Sequence, residues 1–314
     1  MCLVAVALDQ SSRFPFVLAG NRDEFFDRPA ARLSWWQPED GSPAVLGGRD
    51  LQAGGTWLGL TAAGRLGVVT NVRDPFKLDP DAPSRGEIVP LWLHGGMTMD
   101  RLWPQMAMSG YNGFNLLALD FAMGECYWVS NTAPFPRRME KGLFGLSNGL
   151  LDTPWPKTLA LKKRMKDAVQ HASEVDALSM QLFEALTDTQ TYADEHLPST
   201  GVSLEWERLL SSAMIKSKDG RYGTRCSTLV ITERINKRLV THVMERTYSP
   251  TTSVALLRKV TLKNWPPRHS EATNAALEEF ESSAVSEQDG HTLTTPSGLT
   301  TIKKSRARSL IKAL

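Results

Sequence analysis

The chain begins MCLVAVALDQSSRFPFVLAGNRDEFF (residues 1–26), and the order of apolar and polar groups in this stretch sets the architecture. Leu3–Leu8 and Phe16–Gly20 are two short apolar runs separated by a polar turn around Gln10–Arg13, the pattern of adjacent antiparallel strands. The second run ends in Asn21-Arg22-Asp23-Glu24, a polar and charged cluster that is costly inside a core. If the two strands pair, this cluster returns beside Cys2. Removal of Met1 before a small residue would give Cys2 a free α-amine with an ordinary pKa of ~8. Such an amine can take the thiol proton, so nucleophile and base occupy one residue and no histidine is required. Asp23 is then within reach of the amine or the thiol. Taken singly, each feature has a plain structural reading, an inert cysteine at a strand end and a solvated turn with a salt bridge.

Working outward, further strand-like runs are Thr56–Thr61, Leu66–Asn71, Asn115–Asp120 and Glu125–Ser130, each bounded by Gly, Asn, Asp or Pro. A helical period follows. Leu161, Met165, Ala168, Val169 and Ala172 share one face, and Leu178, Leu182 and Leu186 repeat every fourth residue after Ser173, the expected cap. Period two returns in Cys226–Thr232 and Leu239–Tyr248. Strands, then helices, then strands predict segregated α+β layers and not a parallel βαβ sheet. After Pro250 the chain carries Pro266-Pro267, a Ser/Thr/Gly-rich stretch and a basic end, so residues 251–314 are expected to be a partly disordered C-terminal extension of a domain at 1–250.

Across 314 residues the chain is 41% hydrophobic and 22% charged with a net charge of +2. That balance gives no electrostatic case for nucleic acid as a partner, and no apolar run is long enough to be a transmembrane segment. Small-molecule chemistry is favoured. Cys2, Cys126 and Cys226 are too few for a disulfide framework, the six histidines are scattered, and the N-terminus lacks a secretory signal. The expectation is a cytoplasmic protein with no metal and no cofactor. Gly54-Gly55-Thr56-Trp57-Leu58-Gly59 lacks the Lys-Ser/Thr of a phosphate loop and leads into a strand, so a tight turn is expected there. Trp57, with Phe25, Phe26, Trp35 and Trp36, offers an apolar wall for a cleft.

MCLVAVALD, LAGNRDEFFDRPA and GGTWLGLTAAGRLGVVTNVRDP, followed by YNGFNLLALD, GLFGLSNGLLDTPWPK and RYGTRCSTLVI, together resemble the NRDE-motif family, also called the transport and Golgi organisation protein 2 family. The likeness covers about residues 1–248. Family members are distantly similar to cysteine-type N-terminal nucleophile (Ntn) hydrolases that cleave amides, which implies a four-layer αββα sandwich of antiparallel sheets. The resemblance further implies Cys2 as nucleophile, Asp23 as its orienting carboxylate and Asn71 at an oxyanion hole. It implies Asn148 against the nucleophile's amine and Arg225 stabilising the thiolate, whose pKa should then be depressed. Asn21, Arg22 and Trp57 stand as candidate substrate contacts. The hydrolases have an arginine three residues before the aspartate, where this chain has Gly20. Since neighbours on a strand face opposite ways, Arg22 is expected to point away from Cys2. The implied function is hydrolysis of a C–N amide bond in a small, possibly acylated substrate. The alternative is a non-catalytic carrier of haem or of acyl-CoA and other lipids, with Arg22, Arg28, Arg73 and Arg225 available to phosphates. Oligomeric state is not legible.

Overall fold

Two antiparallel sheets face one another in a computed structural model that describes residues 2–249 and 255–267. The first sheet has the order β10-β1-β2-β11-β12-β13, with β1 at Cys2–Leu8, β2 at Phe16–Phe25, β10 at Gly142–Leu146, β11 at Tyr222–Ile235, β12 at Arg238–Thr247 and β13 at Leu256–Lys263. The second runs β3-β4-β5-β6-β7-β8-β9, from Ala30–Trp36, Val45–Asp50, Leu58–Thr61 and Arg65–Asn71 to Phe114–Asp120, Glu125–Ser130 and Arg137–Arg138. All described residues fall in one compact unit, Met1–Ala272.

Strand alternation explains the layers. On β1 and β2, Val4, Val6, Phe16 and Leu18 point to the inter-sheet core and meet Leu60, Leu66, Val68 and Leu117 of the second sheet. Their neighbours Leu3, Ala5, Val17 and Ala19 point outward and are covered by α3 (Pro156–His171) and α4 (Val175–Leu186) through Leu161, Met165, Leu178 and Leu182. On the second sheet, Val69, Leu116, Ala118 and Val129 are covered by α1 (Ile88–His94) and α2 (Met99–Met108). Both faces of each sheet are therefore covered, which gives the αββα order the resemblance implies. It also explains why β1, β2 and β7 read as largely apolar runs: β7 is buried throughout, and β1 and β2 up to their last one or two residues.

Several elements depart from the sequence reading. The helices α1 and α2 lie in the first half, where no helical period was visible, because α1 is two turns long and α2 carries Pro104. Helix α4 starts one residue later than the Ser173 cap implies, at an N-cap Glu174 whose side chain makes no capping bond. The fold also continues past residue 250. β13 pairs along β12 from Thr247↔Leu256 to Val240↔Lys263. Beyond it Trp265 is buried, donates its indole N–H to the Thr61 carbonyl at 2.9 Å and meets Phe121 edge-on. The 250 boundary thus cuts through a paired sheet, since β13 is an edge strand of mostly exposed residues whose sequence carries little apolar alternation. The Ser/Thr-rich stretch and the basic end lie outside the described residues.

Candidate active site

Cys2 is the first residue of β1 and the register partner of Arg22 on β2, so the two side chains leave the sheet on the same face. Both line a cleft of about 530 Å³, bordered by Glu24, Arg28, Asp50, Trp57 and Asn71 and roofed by the loop from Leu78 to Gly86. Arg22 lies in the cleft, over the Trp57 ring at 4.4 Å, with Nη2 donating to Asp50 at 3.1 Å. The expectation that Arg22 points away from Cys2 is therefore corrected. Position 20 lies two residues back on the same face, and there a Cβ would sit 3.1 Å from the Leu3 carbonyl and 3.2 Å from Val4. A side chain at 20 would press on β1, and the arginine instead stands opposite Cys2, where β1 begins.

Strand alternation turns Asn21 and Asp23 to the helix side. Asn21 donates to the carbonyls of Leu186 and Ala213 and accepts from the Ser227 hydroxyl, so it braces α4 against the sheet and does not reach the cleft. Asp23 is fully buried and accepts from the Thr224 hydroxyl at 2.7 Å. Burial pushes its carboxyl pKa up, against the charges of Lys157 and Arg73 and the Thr224 bond.

Asn148 and Asn71 act as a pair. The segment Ser147–Gly149 staples the two sheets at the site: Ser147 donates to the Cys2 carbonyl at 2.9 Å, and Asn148 Nδ2 to the Asn71 carbonyl at 2.9 Å. The Arg73 amide returns a bond to the Asn148 carbonyl. Asn148 is thus buried and committed to Asn71, one step removed from the nucleophile.

Arg225 is at the same end of the sheet but does not line the cleft. Thr224 pairs with Asp23 and Cys226 with Arg22, so Arg225 is the extra residue of a β-bulge. Its guanidinium donates to the carbonyls of Phe25 and Arg28, at 2.5 and 2.9 Å, over the Phe26 ring. It clamps the β2–β3 turn. With Met1 attached, burial pushes the Cys2 thiol pKa up and the nearby positive charges, Arg22 among them, oppose that. Of the aromatic residues, Trp57 borders the cleft, its ring occupying the space where Gly48 would carry a Cβ. Phe25 and Trp35 are exposed, and Trp36 packs against the α1/α2 core beneath Arg49.

Some site residues gave no signal in sequence. Asp50 accepts from Arg28 at 2.6 Å as well as from Arg22, and caps the turn through the amides of Gln52 and Ala53. Gly55 and Gly86 touch so closely that a Cβ on Gly55 would collide with the Gly86 carbonyl. That contact, with the Thr56 amide donating to the Gly86 carbonyl at 3.0 Å, ties the Gly54–Gly55 turn to the roofing loop. Lys157, in the first turn of α3, is buried, and its Nζ has no hydrogen-bond partner among the described residues.

Residues 1–250 match the family described as Transport and Golgi organisation 2. The chain belongs to that family. Relatives include the mouse Transport and Golgi organization 2 homolog, 31% identical over 249 residues, and the human homolog at 30%, each alignment spanning 74% of this chain and 89% of the relative. The fly Transport and Golgi organization protein 2 is 28% identical over 271 residues, 79% of this chain and 92% of the relative. Among solved structures, the Caenorhabditis elegans N-acylethanolamine-hydrolyzing acid amidase ortholog is similar over 73% of this chain and 92% of that one, with a TM-score of 0.39 and 9% identity. Family membership fixes no reaction, and among the described residues no helix is long and apolar enough to cross a membrane.

Proposed function

We propose that this chain is an N-terminal nucleophile amide hydrolase, with Cys2 as its first residue once Met1 is removed. The observation that carries the reading is the juxtaposition of Cys2 with Arg22 and Asn71 at one end of a closed sandwich, within a charged cleft. The thiol proton passes to the α-amine of Cys2 as sulfur bonds to the substrate carbonyl carbon. An amide N–H at Asn71 and the Arg22 guanidinium, whose Nη1 is buried with no hydrogen-bond partner among the described residues, receive the oxyanion. The ammonium then protonates the leaving amine as the C–N bond breaks. Water, deprotonated by the same amine, splits the thioester and restores the thiol.

The cleft's lining weighs against the carrier alternative. Arg22, Glu24, Arg28, Asp50, Asp79 and Arg85 all border it, whereas a haem or acyl-chain pocket is mostly apolar. A small amide with polar or charged ends fits this wall.

Intact mass and N-terminal sequencing establish whether Cys2 is the first residue, and a panel of N-acyl amides is then offered to wild type and Cys2→Ala. Turnover by wild type, reduced at least about a hundredfold in Cys2→Ala, is the expected result. If protein starting at Cys2 cleaves none of the panel while haem or a long-chain acyl-CoA binds at micromolar or tighter, the hydrolase reading is wrong.

A further inference from the structure

Three arginines line the cleft, and acids answer two of them directly. Arg22 and Arg28 share the Asp50 carboxylate at 3.1 and 2.6 Å, and Glu24 comes within 4.0 Å of Arg22. Two cations and two carboxylates balance there. Arg85, in the roofing loop, has no carboxylate at ion-pair distance among the described residues, and its one hydrogen bond there runs from Nη1 to the Gly113 carbonyl at 3.1 Å. Glu24 acts on it only at longer range. Asp79, the other acid of the wall, is exposed and turns one oxygen back to the Asp81 amide.

The Arg85 charge is fixed in place from two sides. The Gly113 carbonyl accepts from the Val72 amide at 2.8 Å as well as from Arg85, and Val72 directly follows Asn71 at the end of β6. The guanidinium is thereby held beside the strand end that carries Asn71. Its loop is itself tied down: Asp79 and Asn112 exchange bonds at 2.8 and 2.7 Å, and Gly86 accepts from the Thr56 amide at 3.0 Å. Little ordering is left for a ligand to impose.

With Nη1 engaged, Nε and Nη2 of Arg85 have no acceptor among the described residues. That edge is the two-donor fork that pairs with a carboxylate or phosphate in parallel. The chain uses the same edge on its own carboxylate at Asp194, through Nε and Nη2 of Arg208. The other unpaired donor of the wall, Arg22 Nη1, belongs to the residue opposite Cys2 and serves the reacting carbonyl. Arg85 is left for a different group. We propose that Arg85 is a specificity-determining residue that binds an anionic oxygen pair, a carboxylate or a phosphate, so that the cleft takes amides with one negatively charged end. The proposal deepens the reading of the cleft as an amide site and rests on it.

Binding is measured by isothermal titration at low salt to the full chain carrying Cys2→Ala, which cannot form a thioester. N-acetylglycine and N-acetylaminomethylphosphonate are compared with neutral N-acetylglycinamide, and succinamate with succinamide, which places the charge on the acyl side. At least one anionic probe is expected to bind about tenfold tighter than its neutral partner, and the tighter of carboxylate and phosphonate identifies the anion. Adding Arg85→Gln should weaken that probe about tenfold and the neutral one less than about twofold. Arg85→Lys keeps the charge and loses the fork, so it should weaken the anionic probe about threefold. If Arg85→Gln does not fold, Arg85→Lys is read alone. Equal binding of charged and neutral probes, a preference undiminished in the Arg85 variants, or no binding of any probe at about 10 mM overturns the proposal. The titration needs no turnover, so a failure here is distinct from a failure of wild type to cleave any amide.

Discussion

Cys2 and Arg22 stand opposite one another on adjacent antiparallel strands and share one face of the sheet. The positive group beside the thiol is thus Arg22, while Arg225 is occupied with backbone carbonyls. Burial raises all three thiols, but only Cys2 lines the cleft with Arg22 opposite it, so iodoacetamide should label Cys2 ahead of Cys126, pushed up to about 12, and of Cys226, pushed well above its ordinary value. Arg22→Gln should slow Cys2 labelling about tenfold at pH 7.5, the effect of losing one adjacent positive charge. Peptide mass spectrometry after timed quenching measures both. Equal rates at the three thiols would remove the basis for a nucleophile.

Arg225→Ala separates two roles for that residue. As a clamp on the carbonyls of Phe25 and Arg28, it should contribute about 2 kcal/mol to stability, lost in urea unfolding. Cys2 labelling in the folded variant should change less than about threefold, under 1 kcal/mol of coupling. A drop as large as that of Arg22→Gln would return Arg225 to the nucleophile's surroundings.

Asp50 offers a pH test. Burial alone would raise its carboxyl, but the Arg28 hydrogen bond, the Ala53 amide and the charges of Arg28 and Arg22 outweigh it and hold the pKa below the usual range. Because the folded value lies below the unfolded one, its stabilisation is complete above pH ~4 and is lost as pH falls through the folded pKa. Asp50→Asn should cost about 3 kcal/mol at pH 7, with a gap from wild type that narrows below pH ~4. A constant gap down to pH 2.5 would show that the carboxylate's charge contributes little.

Trp265→Ala tests the strand beyond residue 250. The indole is buried against Phe121 and bonded to Thr61, so its loss should cost about 3–4 kcal/mol. A chain ending at residue 249 should melt lower still, since it also uncovers the edge of β12. Unchanged melting of either variant would show that this segment is not part of the cooperative unit.

The sequence was legible where a residue's duty is local. β1, β2, α3 and α4 follow from apolar periods that packing on both sheet faces enforces. It misled where the duty depends on register. Asn21 and Arg22 are neighbours in one motif, yet one bonds to the end of α4 and the other enters the cleft. The bulge at Arg225 inverts the facing that simple alternation would assign, and nothing in Tyr222-Gly223-Thr224-Arg225 announces it. Asp50 and Lys157 were invisible for a different cause. An acid before a turn and a lysine at a helix start are ordinarily solvated, and only contacts more than twenty residues distant bury them.

The Trp57 ring is held between the Gly48 backbone and the Arg22 guanidinium. Any anion or carbonyl that draws Arg22 toward itself must loosen the guanidinium from the indole and alter the ring's electronic surroundings. The cleft therefore contains its own optical and magnetic sensor. With 5-fluorotryptophan incorporated and the resonance assigned by Trp57→Phe, a library of unlabelled compounds can be screened in one tube for occupancy, with no assumption about what reaction follows.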